Sequence, residues 1–322
     1  MSQARETDYH DIFYIEVEAA AGQAMAGSYR HEGAELVFRP QFPLQPGVTY
    51  KAYYRLGAES AFETFSIPRP ALAASTEVEA IFPTKNVLPE NQLKLYIHFS
   101  AAMSRGSAFQ HIHLYDETGA EVRLPFLRLA EELWDGEFTR LTLLFDPGRI
   151  KRGLVPHKEM GLALQNGRTY MLVIDESWPD AGGVPLKRRF TKMFSVGPDD
   201  RTALDPKDWR VTSPATGTAA ALIVEFPEAL DHALATRVLT VKDATGQPVE
   251  GTVAVDHEET RWSFTPEAAW RDGAYEISVP GILEDLAGNK IYTPFDVDVT
   301  VMPNAPGPSK VYTVPFRVGS AP

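Results

Sequence analysis

No cysteine occurs in the 322 residues. Disulfides, thiolate metal centres and cysteine nucleophiles are therefore excluded, while the compartment stays open, since cysteine-free proteins occur on both sides of the redox divide. A long apolar run is missing too: no stretch approaches the ~20 residues a membrane helix needs. Gly-x-Ser-x-Gly, a phosphate-cradling Gly-rich loop and His-Glu-x-x-His are absent, so the hydrolytic, nucleotide and zinc chemistries that rest on those motifs lack their usual residues. Positive charge is scarce, with 31 Lys and Arg against 43 Asp and Glu and a net charge of −12. Nucleic acid is excluded as a partner on that balance, because binding it requires neutralising phosphates. The opening Met1-Ser2-Gln3-Ala4-Arg5-Glu6-Thr7 has no apolar export segment, and the expectation is a leader either absent or already removed.

What is present is a globular composition, 44% hydrophobic and 23% charged, with 25 Pro and 23 Gly scattered among short alternating segments. One stretch recurs. Leu44-Gln45-Pro46-Gly47-Val48-Thr49-Tyr50 returns as Leu164-Gln165-Asn166-Gly167-Arg168-Thr169-Tyr170 and, shortened, as Trp270-Arg271-Asp272-Gly273-Ala274-Tyr275. Each copy follows a Phe-x-Pro whose phenylalanine is Phe38, Phe145 or Phe264, spacings of 107 and 119 positions. That is one β-sandwich per copy. Gly47, Gly167 and Gly273 close the turn, and Tyr50, Tyr170 and Tyr275 stand where a hydroxyl can bond back to the upstream backbone, the tyrosine corner of immunoglobulin-like folds. The fold class expected is all-β, tandem immunoglobulin-like β-sandwich domains.

The expected boundaries are a partial sandwich over 1–75, a sandwich over 76–198 with a basic insertion at 148–163, and a third over 208–322. Pro68 to Ser75 reads as a linker. The first copy is short: about 54 residues run from Arg210 to Phe264 in the third, but only 37 precede Phe38. The difference amounts to two strands with their turns. Either the chain is trimmed inside a domain, the simpler account, or the first domain borrows strands from elsewhere. Period-two alternation marks Leu93–Phe99 as a strand, and His111–Tyr115 and Phe295–Val299 read as strands as well. No long helical periodicity occurs.

Four features in register resemble the bacterial Ig-like domains of the SbsA surface-layer type. They are Phe99-Ser100-Ala101-Ala102-Met103, the Asp-x-x-Gly turns Asp116–Gly119 and Asp243–Gly246, the Phe-x-Pro with its Gly-Tyr corner, and Asp285-Leu286-Ala287-Gly288-Asn289, loosely matched by Asp180-Ala181-Gly182-Gly183. The resemblance covers most of 76–300, and 12–67 as a partial copy. It implies exported, non-catalytic modules of surface-layer proteins, adhesins and exoenzymes, and carries no catalytic residue with it. The third copy departs from the pattern, with Phe226-Pro227-Glu228-Ala229-Leu230 where the second has Phe99–Met103.

Candidate sites are few. His111 and His113, two apart on one strand, together with His98 form a candidate copper or zinc site; the bland alternative is scattered surface imidazoles. Asp285 and Asn289 offer oxygen ligands to calcium, against the commoner reading of a turn whose Asp and Asn bond local backbone. Asp256, Glu258 and Glu259 read as a solvated hairpin tip. Residues 210–300 carry 15 acidic and 6 basic side chains, an imbalance that serves solubility or, less commonly, a cation. Trp134 and Trp178, in polar loop-like contexts, are candidates for an exposed sugar- or partner-binding surface, together with Arg149, Lys151 and Arg152 of the insertion. Trp262 and Trp270 read as core. Glu131, Glu132 and Asp135 beside Trp134 are the nearest thing to a catalytic carboxylate set. The function expected is a non-catalytic exported or cell-envelope module that binds, spaces or assembles, with a protein or glycan partner at the cell surface, no cofactor and no membrane span. The alternatives are a periplasmic copper or zinc carrier, and a carbohydrate-binding accessory module.

Overall fold

The computed structural model describes residues 9–20, 22–45, 47–56, 59–68, 74–151, 155–296 and 309–319. It is all-β and divides into two compact units, 1–73 and 74–322. Most of the expected linker, 69–73, lies outside the described residues. The first unit holds β1 (Phe13–Val17), β2 (Gly27–Glu32), β3 (Glu35–Pro40), β4 (Thr49–Leu56) and β5 (Glu59–Ser66). These form a three-stranded sheet, β1-β4-β5, and a two-stranded ribbon, β2-β3. Among its described apolar side chains only Ile15 and Tyr50 are fully buried.

The second unit holds two sandwiches. One consists of β6 (Val78–Phe82), β7 (Val87–Pro89), β8 (Lys94–Phe99), β9 (Ile112–Asp116), β10 (Leu133–Trp134), β11 (Arg140–Leu144), β12 (Thr169–Ile174) and β13 (Phe190–Gly197). Its sheets are β10-β11-β8-β6 and β7-β13-β12-β9. The other consists of β14 (Arg210–Thr212), β15 (Leu222–Glu225), β16 (Thr240–Asp243), β17 (Gly251–Asp256), β18 (Arg261–Pro266), β19 (Gly273–Pro280) and β20 (Val311–Val318), in sheets β14-β15-β18-β17 and β16-β19-β20. Alternation explains which face goes inward. On β8, Leu95, Ile97 and Phe99 enter the core while Lys94 and His98 point the other way, and on β18 Trp262 and Phe264 do the same beneath the sheet. Burying each such side chain contributes about 1.5–3 kcal/mol.

Two local rules shape the ends of the strands. At the corners, the Tyr50 hydroxyl accepts from the Gln45 N–H at 2.7 Å and that of Tyr170 from Gln165 at 3.0 Å, while Tyr275 bonds both the N–H and the carbonyl of Arg271. At the Asp-x-x-Gly turns, Asp116, Asp180, Asp243 and Asp285 each accept backbone N–H groups two and four residues on. Gly119, Gly183, Gly246 and Gly288 then take φ near +80°, which a side chain would oppose.

Three elements differ from expectation. His111 ends a short helix, Ala108–His111, and the strand begins only at Ile112. Within the insertion, Pro147–Ile150 and Val155–Met160 are helical, the first capped by the Asp146 carboxylate on the Gly148 N–H. Of the expected strand 295–299, Phe295 and Asp296 form a bend and 297–299 lie outside the described residues.

Candidate functional site

The most elaborate polar chemistry lies where the two sandwiches of the second unit meet. The outward face of β8 supplies Lys94 and Tyr96. The Lys94 ammonium pairs with Asp231 at 3.3 Å and with Glu284, and the Tyr96 hydroxyl donates to Asp231 at 2.6 Å. Asp231 also caps the helix His232–Val238 through the Leu234 N–H, so one buried carboxylate serves both sandwiches. Burial works against the Lys94 charge, but Asp231 and Glu284 outweigh it and leave its pKa raised; at Glu284 burial dominates and raises the carboxyl pKa. On a neighbouring face, the Thr84 N–H and hydroxyl both donate to the Glu259 carboxylate at 2.8–2.9 Å. Glu259 is 1% exposed. The expected solvated tip holds for Asp256 and Glu258, which are exposed, and is corrected for Glu259: His257, Glu258 and Glu259 all take positive φ, and the turn they form carries Glu259 inward.

Apolar and neutral groups fill the rest of the joint. The His232 ring stacks on Phe82 at 3.5 Å, and His98 meets Phe82 edge-on at 5.0 Å. Burial lowers both imidazoles, His232 to about 4 with His98 and Arg140 adding to the effect, so both are neutral at physiological pH. Ala229 and Leu286 of the last sandwich pack into the core of the sandwich before it. The Leu93 N–H donates to the Leu286 carbonyl at 2.8 Å, and Asn91 clamps the Asp200 backbone on both its N–H and its carbonyl. Asp200, Glu228 and Asp285 converge here, their carboxylate oxygens within 4.8 Å of one another. Burial, a hydrogen bond that the protonated Glu228 donates to Asp200, and the nearby Asp285 push Glu228 up to about 8, and burial with the Asp200 charge pushes Asp285 to about 7.

The residues singled out from sequence are dispersed. His98 sits in the joint on β8. His113, on β9 of the opposite sheet, lies between Glu121 at 2.8 Å and Asp175 at 3.2 Å, and His111 stacks on Trp178. The three imidazoles form no common group. Trp178 is fully buried, against Phe99, Trp134 and His111, because the Asp175–Trp178 turn folds its ring under the sheet; the expected exposure is corrected. Arg149 is also buried, its guanidinium donating to the carbonyls of Arg123, Leu124, Gly161 and Leu162, which makes it a strut of the insertion. Lys151 lies 4.6 Å over the Phe295 ring, and Arg152 lies outside the described residues. Trp134 is half-buried and lines an open cleft of about 730 Å³ with Arg105, Phe109, Glu131 and Phe138. Glu132 there accepts from the Gly106, Ala108 and Trp134 N–H groups, and Asp135 from those of Thr139 and Arg140. Two of the three candidate carboxylates therefore fix the loop.

Residues 201–301 match the family model of the bacterial Ig-like domain. That Ig-like domain supplies Asp231, Glu259, Glu284 and Asp285, one whole side of the joint. Solved structures similar to the chain include native alpha-2-macroglobulin from Escherichia coli, 9% identical over 76% of this chain and 71% of that one with a TM-score of 0.26. An I-band fragment of titin is 8% identical over 96% and 88%, TM-score 0.23, and surface layer protein SbsC, domains 4–9, is 10% identical over 100% and 40%, TM-score 0.22. At such scores the likenesses carry no argument about function. No curated protein matches the chain. No described helix is long and apolar enough to cross a membrane. Sequence reasoning missed the joint because Lys94, Asp231, Glu259 and Glu284 are each ordinary in their local context. Two signals were available: a Tyr and a Lys on the outward face of an otherwise apolar strand, and the Asp231 helix cap.

Proposed function

We propose that the protein is a non-catalytic exported or cell-envelope module whose second unit serves as a rigid spacer. The match of 201–301 to the bacterial Ig-like domain supports the module class, and the buried polar joint carries the spacer reading. Paired, hydrogen-bonded charges set between two cores cost free energy to separate, since breaking one partner away leaves the other desolvated. Two sandwiches joined in this way hold their outer loops at a fixed separation. All five tryptophans fall at 134–270, so fluorescence-monitored urea unfolding reads this unit alone. One cooperative transition is expected for the native chain, and two for the Asp231→Ala/Glu259→Ala double variant. Two transitions in the native chain would overturn the spacer reading.

A second reading has its own observation. The Trp134 cleft, with Phe109, Phe138 and Arg105 at its wall, has the aromatic and cationic lining that stacks on sugar rings or a partner's side chains. Titration with surface glycans should shift Trp134 fluorescence, and Trp134→Phe should remove the shift. A glycan response that persists in Trp134→Phe counts against this cleft.

A further inference from the structure

The first unit contains a sheet edge whose counterpart in the last sandwich is covered. The ribbon β2-β3 matches the hairpin β17-β18 in register: Gly27 pairs with Pro40 as Gly251 pairs with Pro266, and Tyr29 with Phe38 as Val253 with Phe264. Even the close approach is shared. A Cβ on Gly27 would lie 2.4 Å from the Phe38 ring and 2.5 Å from the Arg39 carbonyl; on Gly251 the distances are 2.5 Å to the Phe264 ring and 2.5 Å to the Thr265 carbonyl. Likewise β1-β4-β5 matches β16-β19-β20 in strand order. The last sandwich goes further, because β15 runs antiparallel along the outer edge of β18, with Leu222 opposite Phe264 and Val224 opposite Trp262. Among the described residues of the first unit nothing takes that place, and β3 pairs with β2 alone. The cost shows in burial: Trp262 and Phe264 are 0% and 4% exposed, whereas Leu36 and Phe38 at the equivalent positions are half-buried.

We propose that the edge of β3 is a self-association surface whose occupant is β3 of a second copy of the chain. The sequence Glu35-Leu36-Val37-Phe38-Arg39 is self-complementary when laid antiparallel about Val37. Glu35 then faces Arg39 of the partner copy, Leu36 faces the partner's Phe38, and Val37 faces Val37. This is the register β15 keeps on β18, with Val37 in the place of Ile223. Charges that only blunt an edge against pairing work by like-charge repulsion. Here both Glu35 and Arg39 are exposed, with opposite signs at mirror positions, and each pairing brings two attractive cross-strand contacts. The product is a continuous sheet β2-β3-β3-β2, four strands like β14-β15-β18-β17, closed by a two-fold axis. The surface is argued from residues of the first unit alone, so the proposal stands or falls apart from the spacer reading.

Sedimentation equilibrium of the 322-residue chain tests it, with circular dichroism to show that each variant folds. The native chain should dimerise. Glu35→Arg alone and Arg39→Glu alone each convert two attractive pairs into two repulsive ones, and should weaken the dimer roughly tenfold or more. Glu35→Arg with Arg39→Glu restores opposite signs and should restore the dimer. A chain that stays monomeric at high concentration overturns the proposal, as does a dimer indifferent to both single reversals. A double reversal that fails to recover association overturns it too.

Discussion

At the scale of single residues, the tyrosine corners were legible because their chemistry is local: a turn glycine, then a tyrosine whose hydroxyl reaches back four or five residues. Tyr170 is 3% exposed and its hydroxyl accepts from Gln165. Tyr170→Phe keeps the ring and orphans that N–H, so it should cost about 1–2 kcal/mol in the urea unfolding of the second unit. A loss below a few tenths would show that water reaches the Gln165 N–H. Trp178 and Arg149 were misplaced for the same reason in reverse. Their sequence neighbours are polar, but burial is decided by Phe99, His111 and Trp134 around the Trp178 ring and by carbonyls at 123–124 and 161–162 around Arg149, positions distant along the chain. Nothing in Ser-Trp-Pro-Asp announces which way the ring turns.

At the scale of elements, the repeated Asp-x-x-Gly turn allows a matched comparison. Gly246 and Gly288 occupy the same position of the same turn, at φ +82° and +85°. Gly246 has open space where a Cβ would go, whereas at Gly288 the Cβ would sit 2.6 Å from Leu93 and 3.0 Å from Phe295. Gly246→Ala should therefore cost only the backbone term, about 1 kcal/mol. Gly288→Ala adds overpacking of the joint and should cost about 1–3 kcal/mol more. Equal losses would mean that Leu93 moves aside freely. Turn identity was readable from sequence in both cases, but the neighbour across the joint was not. Strand order shows the same limit. Alternation marked β8 as half-buried, yet its outward face is not left to water: it carries Lys94 and Tyr96 into contact with Asp231 of the next sandwich. Periodicity reports that a face is polar. Whether water or another domain lies against it depends on the tertiary arrangement.

At the scale of the whole molecule, the joint makes stability depend on pH in a calculable direction. Glu228 is raised from 4.5 to about 8 and Asp285 from 3.8 to about 7, so between those limits the folded chain holds protons that the unfolded chain releases. Their contribution is complete below pH about 4 and is lost as pH rises through 7 and 8. Asp116, Asp180 and Asp243 act oppositely. Hydrogen bonds from Thr118 to Asp116 and from Thr245 to Asp243, and backbone N–H groups on Asp180 that outweigh its burial, hold these carboxyls below their ordinary value. Their contribution is present above pH about 4 and lost below it. The second unit should therefore have its highest urea midpoint in mildly acidic solution and lose stability toward pH 9. Glu228→Gln keeps the volume and the hydrogen bond while removing the titration, so it should flatten the alkaline limb and leave the acid limb alone. Tryptophan-monitored midpoints from about pH 2 to pH 9 decide the matter. Parallel profiles for the two proteins would show that the folded chain holds no extra proton at Glu228.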